Sequence, residues 1–71
     1  MDIYIINKNK DDRGNNEIHN ITDYCEHLPK LENMSFLGSF ENDNAAKIYA
    51  KNNGWPLADG CTFCCPKAHT K

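Results

Sequence analysis

Four cysteines and three histidines fall into two groups in this chain of 71 residues. His19, Cys25 and His27 make the first group, and Cys61, Cys64, Cys65 and His69 make the second. A chain below roughly 70–80 residues rarely gains more than about 3–5 kcal/mol from its apolar core alone. A cross-link between the two groups is therefore the strongest constraint on the fold. Thiols and imidazoles supply either disulfides or a metal site, and the redox compartment decides which. The opening Met1-Asp2-Ile3-Tyr4-Ile5-Ile6-Asn7 turns polar too soon for a signal peptide and lacks a basic leader. No apolar run approaches the length of a membrane span. The expectation is a soluble, cytoplasmic protein with reduced thiols, in which a metal is the staple. A disulfide-stapled exported domain is the alternative, with three ways of pairing the cysteines.

Zinc is borderline soft and takes thiolate and imidazole ligands in a closed tetrahedron. In Asp59-Gly60-Cys61-Thr62-Phe63-Cys64 a two-residue spacer lets both sulfurs approach one ion across a tight turn, with Gly60 giving the backbone room. Backbone N–H groups of such a knuckle are expected to aim at the sulfurs. With one pair from each group, the predicted ligands are His19, Cys25, Cys61 and Cys64, and the cofactor is Zn2+. Cys65 adjoins Cys64, and neighbouring side chains share one tetrahedral ion only under strain, so one of the two is a bystander or a small buried hydrophobe; the usual spacing from Cys61 favours Cys64 as the ligand, with Cys65 the alternative. His27 and His69 read as surface imidazoles, with His69 the one able to replace His19. Trp55 and Phe63 are expected to pack around the site.

The remaining sequence sketches a small α+β fold spanning residues 1–71 as one domain. Ile3-Tyr4-Ile5-Ile6 is β-branched and aromatic and predicts a first strand buried on both faces. Residues 7–16 form a polar loop or wide hairpin around Arg13-Gly14-Asn15-Asn16. Glu17-Ile18-His19-Asn20-Ile21 alternates as a second strand that delivers His19, and Leu28-Pro29 ends the turn that follows. Met34-Ser35-Phe36-Leu37-Gly38 predicts a third strand with Met34 and Phe36 on one face. A helix is expected from about Asn42 to Asn53, capped by Asn42 or Asp43, with Ala45, Ile48 and Tyr49 facing the core, Ala46 and Ala50 widening that stripe on one side, and Lys47 and Lys51 pointing away. Asn53-Gly54 stops it and Pro56 prevents its resumption. The expected architecture is a three-stranded sheet with one helix packed across it and a zinc knuckle at one end.

Some of these segments also occur together elsewhere. Asn33-Met34-Ser35-Phe36, the helix at Ala45-Ala46, Gly54, then Cys61-Thr62-Phe63-Cys64 and Pro66 resemble the zinc-binding amino-terminal domain of the bacterial alkyl-DNA repair and response regulator. More of the chain is similar to a family of small prokaryotic zinc-binding proteins. Its marks here are Glu17-Ile18-His19, Cys25-Glu26-His27-Leu28-Pro29, Leu37-Gly38-Ser39-Phe40, and Ala58-Asp59-Gly60-Cys61 through His69. Both resemblances imply a zinc fold; the second brings no established activity. The repair domain's first ligand pair is two closely spaced cysteines, one a zinc-bound thiolate that accepts the alkyl group. His19 and Cys25 stand in its place, and a neutral imidazole cannot serve as that nucleophile.

Ten acids against eight bases give a net charge of −2, so no electrostatic pull toward nucleic acid is implied. A closed four-ligand site leaves no open position for catalysis, and no carboxylate pair accompanies it. The sequence thus predicts a structural zinc module, monomeric and not an enzyme, that binds a protein partner. A reactive-thiol or alkyl-acceptor protein using Cys65 or a zinc-bound sulfur is the second class.

Overall fold

The computed structural model describes residues 1–22 and 25–70. Strand β1 (Asp2–Asn7) and strand β2 (Asn16–Asn20) form an antiparallel hairpin in which Ile5 faces His19 and Ile6 faces Ile18. The connecting loop is tied by Asp11, whose Oδ1 accepts from the N–H groups of Arg13 and Asn15, both at 2.9 Å. Strand β3 (Met34–Phe40) pairs antiparallel with β1 on its other side. Helix α1 (Asp43–Asn52) then leads to strand β4 (Ala58–Gly60), which runs parallel to β2.

The sheet is therefore mixed and has four strands in the order β3-β1-β2-β4, not the three expected. Sequence pattern hides β4 for a physical reason. Ala58-Asp59-Gly60 is too short to alternate and contains two residues that disfavour strands, so only its ladder with β2 makes it one. The ladder also fixes the knuckle: Cys61 N–H donates to Ile18 O at 3.0 Å, carrying the pairing one residue into the ligand turn.

A bulge corrects the expected face of β3. Tyr4 pairs with Gly38 but Ile5 pairs with Phe36, so Leu37 is the extra residue and Gly38 takes a φ of +130°. The bulge turns Leu37 into the core and leaves Phe36 70% exposed, the reverse of the simple alternation. The strand then continues to Phe40.

Helix α1 is where it was expected but presents a nearly opposite face. Asn42 is its cap, with Oδ1 accepting from Ala45 N–H at 2.8 Å. At the other end Gly54 has a φ of +96° and Trp55 N–H reaches back to Ala50 O, a glycine-dependent helix stop. Ala46 and Ala50 are fully buried, whereas Ile48 and Tyr49 are exposed. Asp43 and Lys47 share the alanine face, and both find partners. Tyr4 donates its hydroxyl proton to Asp43 Oδ1 at 2.8 Å, and burial together with that carboxylate pushes the Tyr4 pKa well up. Lys47 Nζ lies 3.0 Å from Asp59 Oδ1, 2.9 Å from Ala68 O and 3.2 Å from Thr70 Oγ1. Two alanines let the helix approach the sheet closely, and the two charges on that face are satisfied at its ends. An Ile48-centred face lacks both conditions. Core residues Tyr4, Ile6, Ile18, Leu37, Ala46, Ala50, Ala58 and Cys65 form the cluster between helix and sheet.

Candidate metal centre

His19 comes from β2, Cys25 from the segment joining β2 to β3, and Cys61 and Cys64 from the turn after β4. One ligand atom from each lies within 4.8 Å of the others, and His19, Cys25 and Cys61 are buried. Tetrahedral zinc, with Zn–S near about 2.3 Å and Zn–N near about 2.0–2.1 Å, spaces its sulfurs by about 3.8 Å and sulfur from nitrogen by about 3.6 Å. The separations here are 3.9 Å between Cys25 Sγ and Cys61 Sγ, 3.8 Å between Cys25 Sγ and His19 Nδ1, and 3.6 Å between Cys64 Sγ and His19 Nδ1. Three of the six edges thus match a tetrahedron sized for such an ion, and the other three lie within 4.8 Å. A disulfide needs sulfurs at about 2.05 Å, and all four cysteines are free thiols.

The donors are prepared for charge on the sulfurs. Asn20 N–H donates to Cys64 Sγ at 3.4 Å, while the backbone N–H of His27 favours the charged form of Cys25, and those of Phe63 and Cys64 the charged form of Cys61. Each sulfur thus meets at least one backbone dipole, as expected of a knuckle. Burial works the other way on the free thiols. It raises the Cys25 pKa and pushes Cys61 up to about 12; Cys64 is raised by its neighbour Cys65 and by burial. Burial also lowers His19 to about 4, with His27 adding to the effect, so its imidazole is neutral at pH 7. A neutral imidazole beside two buried thiols and one half-buried thiol that cannot easily ionise alone is a donor set that a divalent cation completes, because the cation replaces the protons.

The other candidates lie elsewhere. Cys65 is 0% exposed and belongs to the apolar core, its sulfur 4.0 Å from that of Cys64. His69 turns its Nδ1 to Gly60 O at 3.1 Å and Asp59 Oδ2 at 3.2 Å, tying down the carboxyl-terminal turn. Asp59 is buried. Burial alone raises its pKa, but Lys47 and Thr70 outweigh that and hold it below the ordinary value. Trp55 packs against the core cluster. Phe63 departs from expectation: it is 69% exposed and stacks on His27, with ring centroids 3.9 Å apart. Since His27 follows Cys25 and Phe63 lies between Cys61 and Cys64, the stack joins the two ligand-bearing turns from outside. Neither aromatic spacing nor periodicity announces such a pair.

Two residues that sequence reasoning passed over support the site. Asn20 supplies an N–H to Cys64, and its side chain donates to Asp2 Oδ2 at 2.9 Å. Glu17 stands 3.6 Å from the outer nitrogen of His19. Alternation in β2 was the available signal, since it puts residues 17 and 19 on one face. Comparison with protein-family models, with curated proteins and with solved structures finds no match to this chain.

Proposed function

We propose that this chain is a structural zinc module, in which Zn2+ held by His19, Cys25, Cys61 and Cys64 supplies the folding energy that its small core lacks. The observation that carries the reading is the convergence of four donor atoms within 4.8 Å of one another, three of their six separations being 3.6 to 3.9 Å, which suits a tetrahedral ion with three thiolates. Apparent binding energies of about 10–16 kcal/mol for structural zinc in small peptides exceed what a core of this size provides. Four protein ligands fill the coordination shell, so the ion's work is structural and the chain is not an enzyme. A reducing compartment such as the cytoplasm keeps the thiols available.

The module's cellular task is to present a surface to a protein partner. The outward helix face with Ile48 and Tyr49, and Phe36 on edge strand β3, are apolar residues in exposed positions that favour protein over nucleic acid, in line with the net negative charge. Among the thiols, Cys65 lacks the access a reactive cysteine needs, which counts against the reactive-thiol class.

Native mass spectrometry of the purified, reduced chain tests the metal directly, with one zinc per chain as the expected mass. Removal by a chelator should abolish the folded circular dichroism spectrum, and zinc should restore it. A spectrum unchanged after the metal is removed overturns the structural role.

A further inference from the structure

In a neutral imidazole one nitrogen carries a proton and the other a lone pair. Here Nδ1 is the nitrogen that faces the sulfurs of Cys25 and Cys64, so the proton belongs on Nε2. His19 is fully buried, and Nε2 is the one buried side-chain nitrogen or oxygen among the described residues with no hydrogen-bond partner. A buried N–H without an acceptor is costly, and a mispositioned one lets the ring turn or change tautomer. Glu17 Oε1 stands 3.6 Å from it, a fraction of an ångström beyond hydrogen-bond range. Residue 17 is two before His19 on the same strand face, so β2 itself aims the carboxyl group at the ring.

Glu17 has room to close that gap. Its side chain is 30% exposed and lines an open cleft with Asp11, Asp12, Arg13, Thr62 and His69. His69 and His27 also act on its carboxyl group, and Asp11 is the neighbour that competes for it, but one Asp11 oxygen is already occupied by the Arg13 and Asn15 N–H groups. Whether the Glu17 carboxyl carries a proton or not, it keeps an acceptor oxygen for His19.

We propose that Glu17 is the positioning residue of the metal centre: it accepts the Nε2 proton of His19, fixes the ring in the tautomer whose Nδ1 faces the three sulfurs, and so tunes metal affinity. The inference rests on the zinc-module reading and deepens it. Carboxylate partners of this kind, when removed, weaken metal binding about 10–100-fold.

The test compares the full chain with Glu17→Ala, Glu17→Gln and Asp12→Ala. Zinc affinity is measured by chelator competition, and the His19 ring nitrogens and Nε2 proton are observed by NMR in the zinc-loaded proteins. Expected are an affinity loss of about 10–100-fold for Glu17→Ala, a smaller loss for Glu17→Gln because the amide oxygen still accepts, and none for Asp12→Ala, whose side chain lines the same cleft. The Nε2 proton should lie downfield in the parent chain and move upfield in Glu17→Ala, a change that general destabilisation does not produce. Equal affinity of Glu17→Ala and the parent, or metal on Nε2, overturns the inference alone. A parent chain that takes up no zinc overturns the module reading and the inference with it.

Discussion

Replacing Lys47 with methionine asks whether the inward face of α1 is truly its charged one. Methionine keeps the apolar stem and removes only the ammonium group. Three contacts vanish: those to Asp59 Oδ1, Ala68 O and Thr70 Oγ1 at 2.9 to 3.2 Å. The charge-assisted bond to Asp59 is worth about 1.5–3 kcal/mol, and leaving the buried Ala68 carbonyl without its donor costs about 1–3 kcal/mol more. Asp59 does not become an orphan, because Thr70 donates to it through both its N–H and its hydroxyl. The loss should therefore fall at about 3 kcal/mol, the lower end of the range of about 3–5 kcal/mol for breaking a buried ion pair. For a domain of this size that lowers Tm by about 12–24 °C. Urea unfolding at fixed free zinc, with the slope unchanged, reads the difference. Ile48→Ala on the outer face serves as the comparison, with an expected loss below about 0.5 kcal/mol. If Lys47→Met costs no more than Ile48→Ala, α1 does not present Lys47 to the carboxyl-terminal turn.

Cysteine replacements should separate ligand from core. Cys61→Ser is expected to abolish zinc retention, whereas Cys65→Ser keeps one zinc by native mass spectrometry and loses about 1–3 kcal/mol for a hydroxyl buried in the apolar cluster; the reverse pattern would falsify the ligand assignment. Gly60→Ala should destabilise by about 1–3 kcal/mol in denaturant titrations, since an added Cβ would sit 2.8 Å from Ala68 Cβ and closer still to the Cys65 carbonyl. Calorimetry in buffers of different ionisation enthalpy should find about three protons released per zinc bound at pH 7, one from each raised thiol of Cys25, Cys61 and Cys64. Release of one proton or none contradicts thiolate ligation. His19 adds a further term: its folded pKa of about 4 lies below the ordinary 6.5, so its contribution to stability is complete above pH 6.5 and is lost as pH falls toward 4. Holo protein titrated with acid should therefore lose zinc and unfold across that window, the imidazole taking up a proton in addition to those of the three thiolates.

Local sequence made much of this molecule legible. The run Ile3-Tyr4-Ile5-Ile6 marks a central strand, and Asn42 and Gly54 bracket the helix, because capping and β-propensity act through near neighbours. The four metal candidates were readable too, since ligand chemistry and a two-residue spacer are local properties that survive without knowledge of the fold.

Three features were not local. Ala58-Asp59-Gly60 is a strand because β2 lies beside it, and Leu37 is core because a bulge shifts β3 by one residue. Lys47 turns inward because Asp59, Ala68 and Thr70 converge on it from other elements. Residue types and their short-range spacing determined which groups bind and where the chain turns. The direction each surface faces was decided only by packing, where the cost of an unpaired charge or an unfilled contact depends on partners far away in sequence.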